Sequence, residues 1–258
     1  MLKRLLHEPP FRLLGKFAYR YLPTSVASKV YWESLERAPY AFGLWHAAQR
    51  ARELRIQEIT AVEFGVASGQ GLLIMQQHAS AVERETGVRI WVFGFDLGTG
   101  LPETDDPRDH IDAWRSGDYK MDPPRLQSRL SERTTLVLGD VARTVSRFAP
   151  RGPIGFVSFD LDFYSSTMHA FRIFEKPILP HTPIYFDDVI LPFNHRFAGE
   201  LLAIDDFNRR SENIKIDRWH GLKLLTAFSD SQWAEQMYTA HDLRAGKQAM
   251  SRHSALAL

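Results

Sequence analysis

Residues Ala61–Leu72 read A-V-E-F-G-V-A-S-G-Q-G-L, an apolar run that meets an acid and then a glycine-rich bend. Ile59, Val62 and Phe64 are strand-like, Gly65, Ser68, Gly69 and Gly71 shape the bend, and a helical pattern runs from Leu72 to Ala81. Glycine lets a backbone turn sharply and approach a ligand closely. Strand, glycine loop and helix in that order predict a nucleotide-type cofactor at the edge of a parallel sheet. The spacing is G-x-x-x-G-x-G, neither G-x-G-x-x-G nor G-x-x-x-x-G-K-[ST], and the loop has no lysine to hold a phosphate. Glu63 would repel a pyrophosphate and attract an ammonium or sulfonium cation. This charge logic favours S-adenosylmethionine (SAM) over NAD or ATP.

Two further acids extend the cofactor constellation. Trp91–Pro102 reads W-V-F-G-F-D-L-G-T-G-L-P, and Asp96 lies 31 residues after Gly65, about one helix and one strand further on. A carboxylate there is suited to accept both hydroxyls of an adenosine ribose; the plainer reading is a turn acid. Leu136–Asp140 (L-V-L-G-D) ends in another acid. Asp140 would accept the adenine amino group or simply cap a helix.

Asp160, Asp162, Asp187 and Asp188 form a separate cluster. If the strands before them are near neighbours, these carboxylates converge, repel one another and raise their own pKa values. A hard divalent cation resolves that conflict, and oxygen ligands suit Mg²⁺, Ca²⁺ or Mn²⁺. Zinc is disfavoured, because the chain has no cysteine and no His-x-x-x-His spacing here. Asp160, Asp187 and Asp188 are the expected metal ligands, with Asp162 behind them or exchanging with Asp160. Helix capping by Asp162 and a loop role for Asp188 are the competing readings.

Positioning these residues requires a particular order of elements. Short β-rich runs at Thr60–Phe64, Ile90–Phe95, Thr134–Leu138, Ile154–Phe159, Thr182–Phe186 and Leu222–Phe228 alternate with helical stretches. Such alternation implies βαβ units and a parallel sheet. The first five runs are followed at once by an acid or a glycine, and ligands of open α/β sheets lie beyond those carboxyl ends. Upstream, Ser25–Arg55 reads as helical, with an apolar stripe interrupted near Pro39. Residues 1–55 are thus expected to form an N-terminal helical arm or cap, and residues 56–258 the main domain. Within it, 98–130 is a long polar insertion, and Trp114 and Tyr119 give it the means to pack as a substrate-side lid. Residues 248–258 read as a frayed tail.

Composition bounds the function. The 258 residues are 44% apolar and 24% charged, ordinary for a globular protein, and the formal net charge of +1 points to no nucleic-acid partner. Absence of cysteine excludes disulfides and thiol catalysis and fits a reducing compartment, so a cytoplasmic location is expected. No segment approaches the ~20 apolar residues of a membrane span. The first 22 residues mix basic and apolar side chains, and Pro9, Pro10 and Arg12 deny a signal-peptide core. A docking arm, a cap helix and a membrane-surface helix remain open there, and the apolar stripe further on offers a homo-oligomer contact.

The run V-E-F-G-V-A-S-G-Q-G, then G-F-D-L-G-T-G-L-P and G-D, resembles the class I SAM-dependent methyltransferases. F-D-L-D-F-Y-S-S-T (159–167), I-Y-F-D-D (184–188) and G-E-L-L-A-I-D-D-F (199–207) narrow the likeness to the macrocin O-methyltransferase (TylF/MycF-like) family. The resemblance implies an α/β, Rossmann-like fold: a mostly parallel seven-stranded sheet with helices on both faces, a reversed final hairpin and an N-terminal helical extension. It places Glu63, Gly65, Ser68, Gly69 and Asp140 with Asp96 around SAM, beside Gly71, and Mg²⁺ on the acid cluster. Leu161 departs from the family's usual glycine between the two acids, and Phe163 stands where catechol O-methyltransferase-like enzymes carry a lysine base. The remaining candidates for a base are His195 and His220, acting with Asp160; each also reads as a polar packing residue. The expected activity is Mg-assisted methyl transfer from SAM to a hydroxyl of a small molecule, a sugar, glycoside or other natural-product acceptor. The competing functions are a catalytically silent SAM-binding scaffold, an NAD-dependent oxidoreductase and a metal-free methyltransferase.

Overall fold

Five of the six expected runs become strands of one sheet. The computed structural model describes residues 11–109, 114–190, 195–222 and 231–244. Among these, β1 (Glu58–Phe64), β2 (Arg89–Asp96), β3 (Thr134–Leu138), β4 (Ile154–Phe159), β5 (Thr182–Phe186), β6 (Ile214–Arg218) and β7 (Met237–Asp242) pair in the order β3-β2-β1-β4-β5-β7-β6. β1 to β5 are mutually parallel, whereas β7 runs antiparallel to both β5 and β6. The sheet is therefore mixed, reversed at its last hairpin. The expected run Leu222–Phe228 does not supply a described strand: Leu222 is buried beyond a turn, and 223–228 lie outside the described residues, as does the expected tail at 248–258. β6, with the sequence I-K-I-D-R, is an edge strand whose charged residues hid it from an apolar-run reading.

Helices cover both faces. α3 (Ala38–Glu53) and α4 (Gln70–Thr86) pack with Ile59 and Ala61 of β1 on one face. On the other, α6 (Val141–Arg147), α7 (Tyr164–Ala170) and α8 (Gly199–Arg210) pack with Val62 and Phe64. Side chains of a strand alternate between faces, so a central strand buried on both sides reads as a continuous apolar run. The same alternation sends Glu63 toward α3 and α4.

A row of phenylalanines ends four strands just before the cavity. Phe95, Phe64, Phe159 and Phe186 stand on β2, β1, β4 and β5 in register, with neighbouring ring centroids 5.0, 5.3 and 4.9 Å apart. Cross-strand aromatic contacts of this kind fix register and fill the space beneath the strand ends.

The expected helical stretch Ser25–Arg55 is two helices. α1 (Phe11–Tyr21) precedes them, and α2 (Val26–Tyr31) is capped by Ser25, whose Oγ accepts from the Ser28 N–H at 3.1 Å. The chain then turns, Arg37 adopts a left-handed φ of 44°, and α3 starts. Pro39 lies in the first turn of α3, where its missing N–H removes no helical bond. It opens a helix instead of interrupting one. α3 packs against β1, β4 and β5, with Tyr40, Leu44, Ala47, Ala48 and Ala51 wholly buried. Half of the expected N-terminal arm thus shares the core of the main domain.

The insertion at 98–130 is held down at two described points. Leu126 of α5 (Pro123–Gln127) is buried against Gly69. Asp109, also buried, accepts from the Ser165 N–H and Oγ at 2.7 Å each and from Thr104 Oγ1 at 2.6 Å.

Candidate functional site

Beyond the carboxyl ends of the five parallel strands lies a cavity of ≈ 570 Å³. Gly65 follows β1, Asp96 closes β2, Asp140 stands two residues past β3, Asp160 follows β4 and Asp187 follows β5, and all five line it. Parallel strands point their ends to one edge, which is why residues 122 positions apart in sequence (187 − 65) meet here. A more open groove of ≈ 630 Å³ at the amino ends of β2 and β3 carries the Arg133–Glu83 ion pair and none of these residues.

Asp96 organises the glycine loop. Its Oδ2 accepts from the N–H groups of Val66 (2.8 Å) and Ala67 (2.9 Å), and its Oδ1 from that of Gly98 (2.6 Å). A carboxylate offers about four lone-pair positions. Three are taken, which leaves about one position for the ribose hydroxyls expected on Asp96 while the loop keeps this form. Ala67 holds a φ of +47° against the cavity, an uncommon conformation for a residue with a Cβ and one that recurs at ligand sites. Ser68, Gly69 and Gly71 do not line the cavity. The two glycines serve close packing: a Cβ on Gly69 would sit 2.3 Å from Leu126, and one on Gly71 would sit 2.1 Å from Glu63 Oε1. Asp140 does cap α6, its Oδ1 accepting from the Ala142 N–H at 2.8 Å, while it also faces the cavity.

Glu63 lies behind the loop. Its side chain is buried on the α3 side, and Tyr40 donates to its Oε1 at 2.8 Å. Tyr40 in turn accepts from Arg37 Nη1 and Ser158 Oγ, both at 2.9 Å. Burial pushes the Glu63 carboxyl up to about 7, against the opposing pull of the Tyr40 hydrogen bond and Arg37. Arg37 is the member of this network that reaches the cavity, with Nη1 3.9 Å from Asp160 Oδ2. Burial works against its charge, but Tyr40, Glu63, Asp160 and Asp187 together hold it firmly protonated. Sequence reading missed Arg37. It offered only the helix-start pattern R-A-P, which carries no chemical signal.

The expected acid cluster also gathers at the cavity, where Asp160, Asp162, Asp187 and Asp188 all contribute to the lining. Burial, then Asp187 and Asp188, push Asp160 well above the usual carboxylate range. Burial and Asp160 raise Asp162 to about 7; burial, Asp162 and Asp187 raise Asp188 to about 8. Asp162 takes a left-handed φ of +61°, uncommon for a residue with a Cβ. Glu200, in the first turn of α8, is a fifth acid that sequence reading gave no role. It is fully buried, its Oε2 accepts from the Asp188 N–H at 3.2 Å, and burial with Asp188 raises its pKa strongly.

The metal reading meets a geometric check. Among the described residues, no group of three carboxylates or histidines converges on a point that would hold a metal ion. Asp160 leans toward Arg37, Asp187 Oδ1 accepts from the Tyr185 hydroxyl at 2.6 Å, and Asp188 is tied to Glu200 and Asp162. The donor set still suits a hard cation in charge and element, since crowded carboxylates with raised pKa values are what such a cation relieves. His195 and His220 do not line the cavity. His220 is exposed, 3.6 Å from Asp217, and His195 Nδ1 accepts from the Phe197 N–H at 3.3 Å. The cavity is lined by carboxyl groups and by neither of these imidazoles.

The insertion supplies the opposite wall. Leu101, Pro102, Trp114 and Tyr119 line the cavity. Burial and the charges of Asp162 and Asp188 raise the Tyr119 hydroxyl to about 12.

This order of strands, with a reversed strand next to the edge and a cofactor-sized cavity at the parallel ends, defines the class I methyltransferase fold. The chain superposes on CalS11, a calicheamicin methyltransferase, with a TM-score of 0.55 and 21% identity over 83% of this chain and 90% of that one. An apo structure of CalS11, described as TDP-rhamnose 3'-O-methyltransferase, overlaps with a TM-score of 0.47 at 21% identity over 83% and 92% of the two chains. The O-methyltransferase NovP gives 0.45 at 17% identity over 58% and 65%. At 21% identity the first of these likenesses establishes the fold. No family model and no curated protein matches the chain.

Proposed function

We propose that this chain transfers a methyl group from SAM to a hydroxyl of a small molecule of the sugar, glycoside or natural-product type. The observation that carries the reading is the single cavity in which the Gly65 loop, Asp96, Asp140, Arg37 and the acid cluster meet beneath Trp114 and Tyr119. CalS11, whose fold this chain shares, is named a calicheamicin methyltransferase, a reaction of the same class.

The adenosine would lie along Asp96 and Asp140, with one ribose hydroxyl on the remaining acceptor position of Asp96. Arg37 is the cation suited to the amino-acid carboxylate of SAM, and the aspartates suit its ammonium group. Methyl transfer breaks the sulfonium carbon–sulfur bond as the acceptor oxygen bonds to that carbon, leaving S-adenosylhomocysteine. The chain's main contribution is to align donor and acceptor in line and to exclude water under the insertion. The acceptor's proton passes to a carboxylate that does not hold the cation; Asp162, raised to about 7, is matched to that task near neutral pH. Asp160, Asp187 and Asp188, with Asp162 as the alternate to Asp160, would hold Mg²⁺, which when bound lowers the pKa of an acceptor hydroxyl. To do so, Asp160 and Asp187 must turn from Arg37 and Tyr185.

Calorimetric titration with SAM, with and without Mg²⁺ and beside an NAD control, tests the reading. SAM binding with no NAD binding is expected, and Mg²⁺ should add heat of its own. No SAM binding would sink the proposal; SAM binding that Mg²⁺ leaves unchanged, with no heat for Mg²⁺ alone, would remove the metal from it.

A further inference from the structure

The helix α1 presents an apolar stripe that nothing in the described chain covers. Leu13, Leu14, Phe17 and Tyr21 are 62%, 61%, 65% and 70% exposed, and the helix buries no residue. At 100° per residue these four side chains fall within one arc of about 100°. Lys16 and Arg20, both exposed, follow one another at i and i+4 beside that arc, whereas Arg12 is partly buried on the Tyr19 side and already has a partner. The third side of the helix is its attachment: Tyr19 stacks on Trp32 with centroids 5.2 Å apart, and a Cβ on Gly15 would sit 2.9 Å from the Trp32 ring. The inner side is thus fixed to the domain while the apolar and basic sides face outward.

Single exposed apolar side chains are ordinary, but four on one stripe beside a cation row mark an interaction face. The eleven residues of α1 contain three cations and no acid. The two outward cations, Lys16 and Arg20, have no complement on a second copy of the same helix, and they complement an anionic surface. At about 16 Å, the helix is too short to span a bilayer, and no helix among the described residues is long and apolar enough to cross one. An apolar stripe flanked by Lys and Arg is the composition of a helix that lies in the plane of a lipid interface.

We propose that α1 docks the protein on anionic membrane surfaces, its Leu13–Leu14–Phe17–Tyr21 stripe entering the headgroup boundary and its cation row pairing with lipid phosphates. The proposal is independent of the methyl-transfer reading.

Co-sedimentation of the full chain with vesicles tests it. With 3:1 phosphatidylcholine to phosphatidylglycerol at low salt the protein should pellet, and with phosphatidylcholine alone its partitioning should fall by about thirtyfold, from two cations near the surface. The variant Lys16→Gln/Arg20→Gln should show a similar loss. Phe17→Glu should release the protein from the anionic vesicles while leaving its thermal midpoint nearly unchanged, since Phe17 is largely exposed and its ring contact is with Tyr21 of the same stripe. Failure to pellet with anionic vesicles, or pelleting that Phe17→Glu leaves intact, overturns the proposal. A solution dimer that Phe17→Glu splits, with no vesicle binding, would also overturn it and give the stripe to a second copy.

Discussion

Two glycines with the same backbone conformation separate local strain from the geometry of the cavity. Gly65 and Gly87 have φ values of +82° and +75°, so alanine at either position meets similar left-handed strain, about 1–2 kcal/mol. A Cβ on Gly87 would meet nothing within 4 Å. A Cβ on Gly65 would lie 1.6 Å from the carbonyl oxygen of Asp160, where about 3.0 Å is the least that real Cβ atoms show. The ends of β1 and β4 must therefore part by roughly 1.4 Å (3.0 − 1.6) along that contact. Neither side can swing away: the Gly65 N–H donates to Phe95 O and the Asp160 N–H donates to Phe64 O, both at 2.9 Å. Adding about 1–3 kcal/mol for overpacking gives roughly 2–5 kcal/mol for Gly65→Ala, against about 1–2 kcal/mol for Gly87→Ala. In a chain of this size each kcal/mol lowers the melting point by about 2–4 °C. Thermal melts and SAM calorimetry on both variants provide the assay. Gly87→Ala should melt slightly lower with SAM affinity unchanged. Gly65→Ala should melt clearly lower and bind SAM at least tenfold more weakly, because Asp160 and the loop are displaced together. If the two variants melt alike and both keep SAM affinity, the close approach of β1 and β4 does not shape the site.

Three other expectations follow from single contacts. Arg37→Gln should weaken SAM binding by about 10- to 100-fold, the worth of a charge-assisted pair at roughly 1.5–3 kcal/mol; calorimetry showing no change would remove Arg37 from the cofactor site. Burial raises Glu63 from 4.5 to about 7, so the folded chain holds this proton more tightly than the unfolded one. Its contribution is full below about pH 4.5 and is lost as pH rises through about 7, a swing of about 3 kcal/mol at 1.36 kcal/mol per pH unit. Urea titrations should show wild-type stability falling relative to Glu63→Gln across that window, and parallel curves would refute the assignment. Phe159→Ala removes the ring stacked between Phe64 and Phe186 and should cost about 3–5 kcal/mol, read as a lower urea midpoint; a loss below about 1 kcal/mol would mean the row is not a load on the sheet.

The strand ends were legible because β1, β2, β4 and β5 are inner strands of the sheet. Strands buried on both faces must be apolar throughout, so they stand out in the sequence, and the polar residue that follows each one marks the edge where ligands bind. β6 and β7 escaped because K-I-D-R and T-A-H-D break the apolar pattern. Asp109 and Glu200 escaped for a different reason. An acid's burial depends on which segment folds over it, and neither the contact of Asp109 with Ser165 nor that of Glu200 with Asp188 leaves a local pattern.

The sequence alone determined the alternation of elements, the class of fold and the candidacy of Gly65, Asp96, Asp140, Asp160 and Asp187, since each is a local property of a strand end. Tertiary structure decided what those residues do. Asp96 spends three acceptor positions on the loop, Glu63 turns to Tyr40 because of the face its strand position assigns, and Arg37 enters the cavity from a helix start 28 residues before Gly65 (65 − 37). Spacing in a chain fixes the direction of a side chain on its own element, whereas its partner depends on packing between elements.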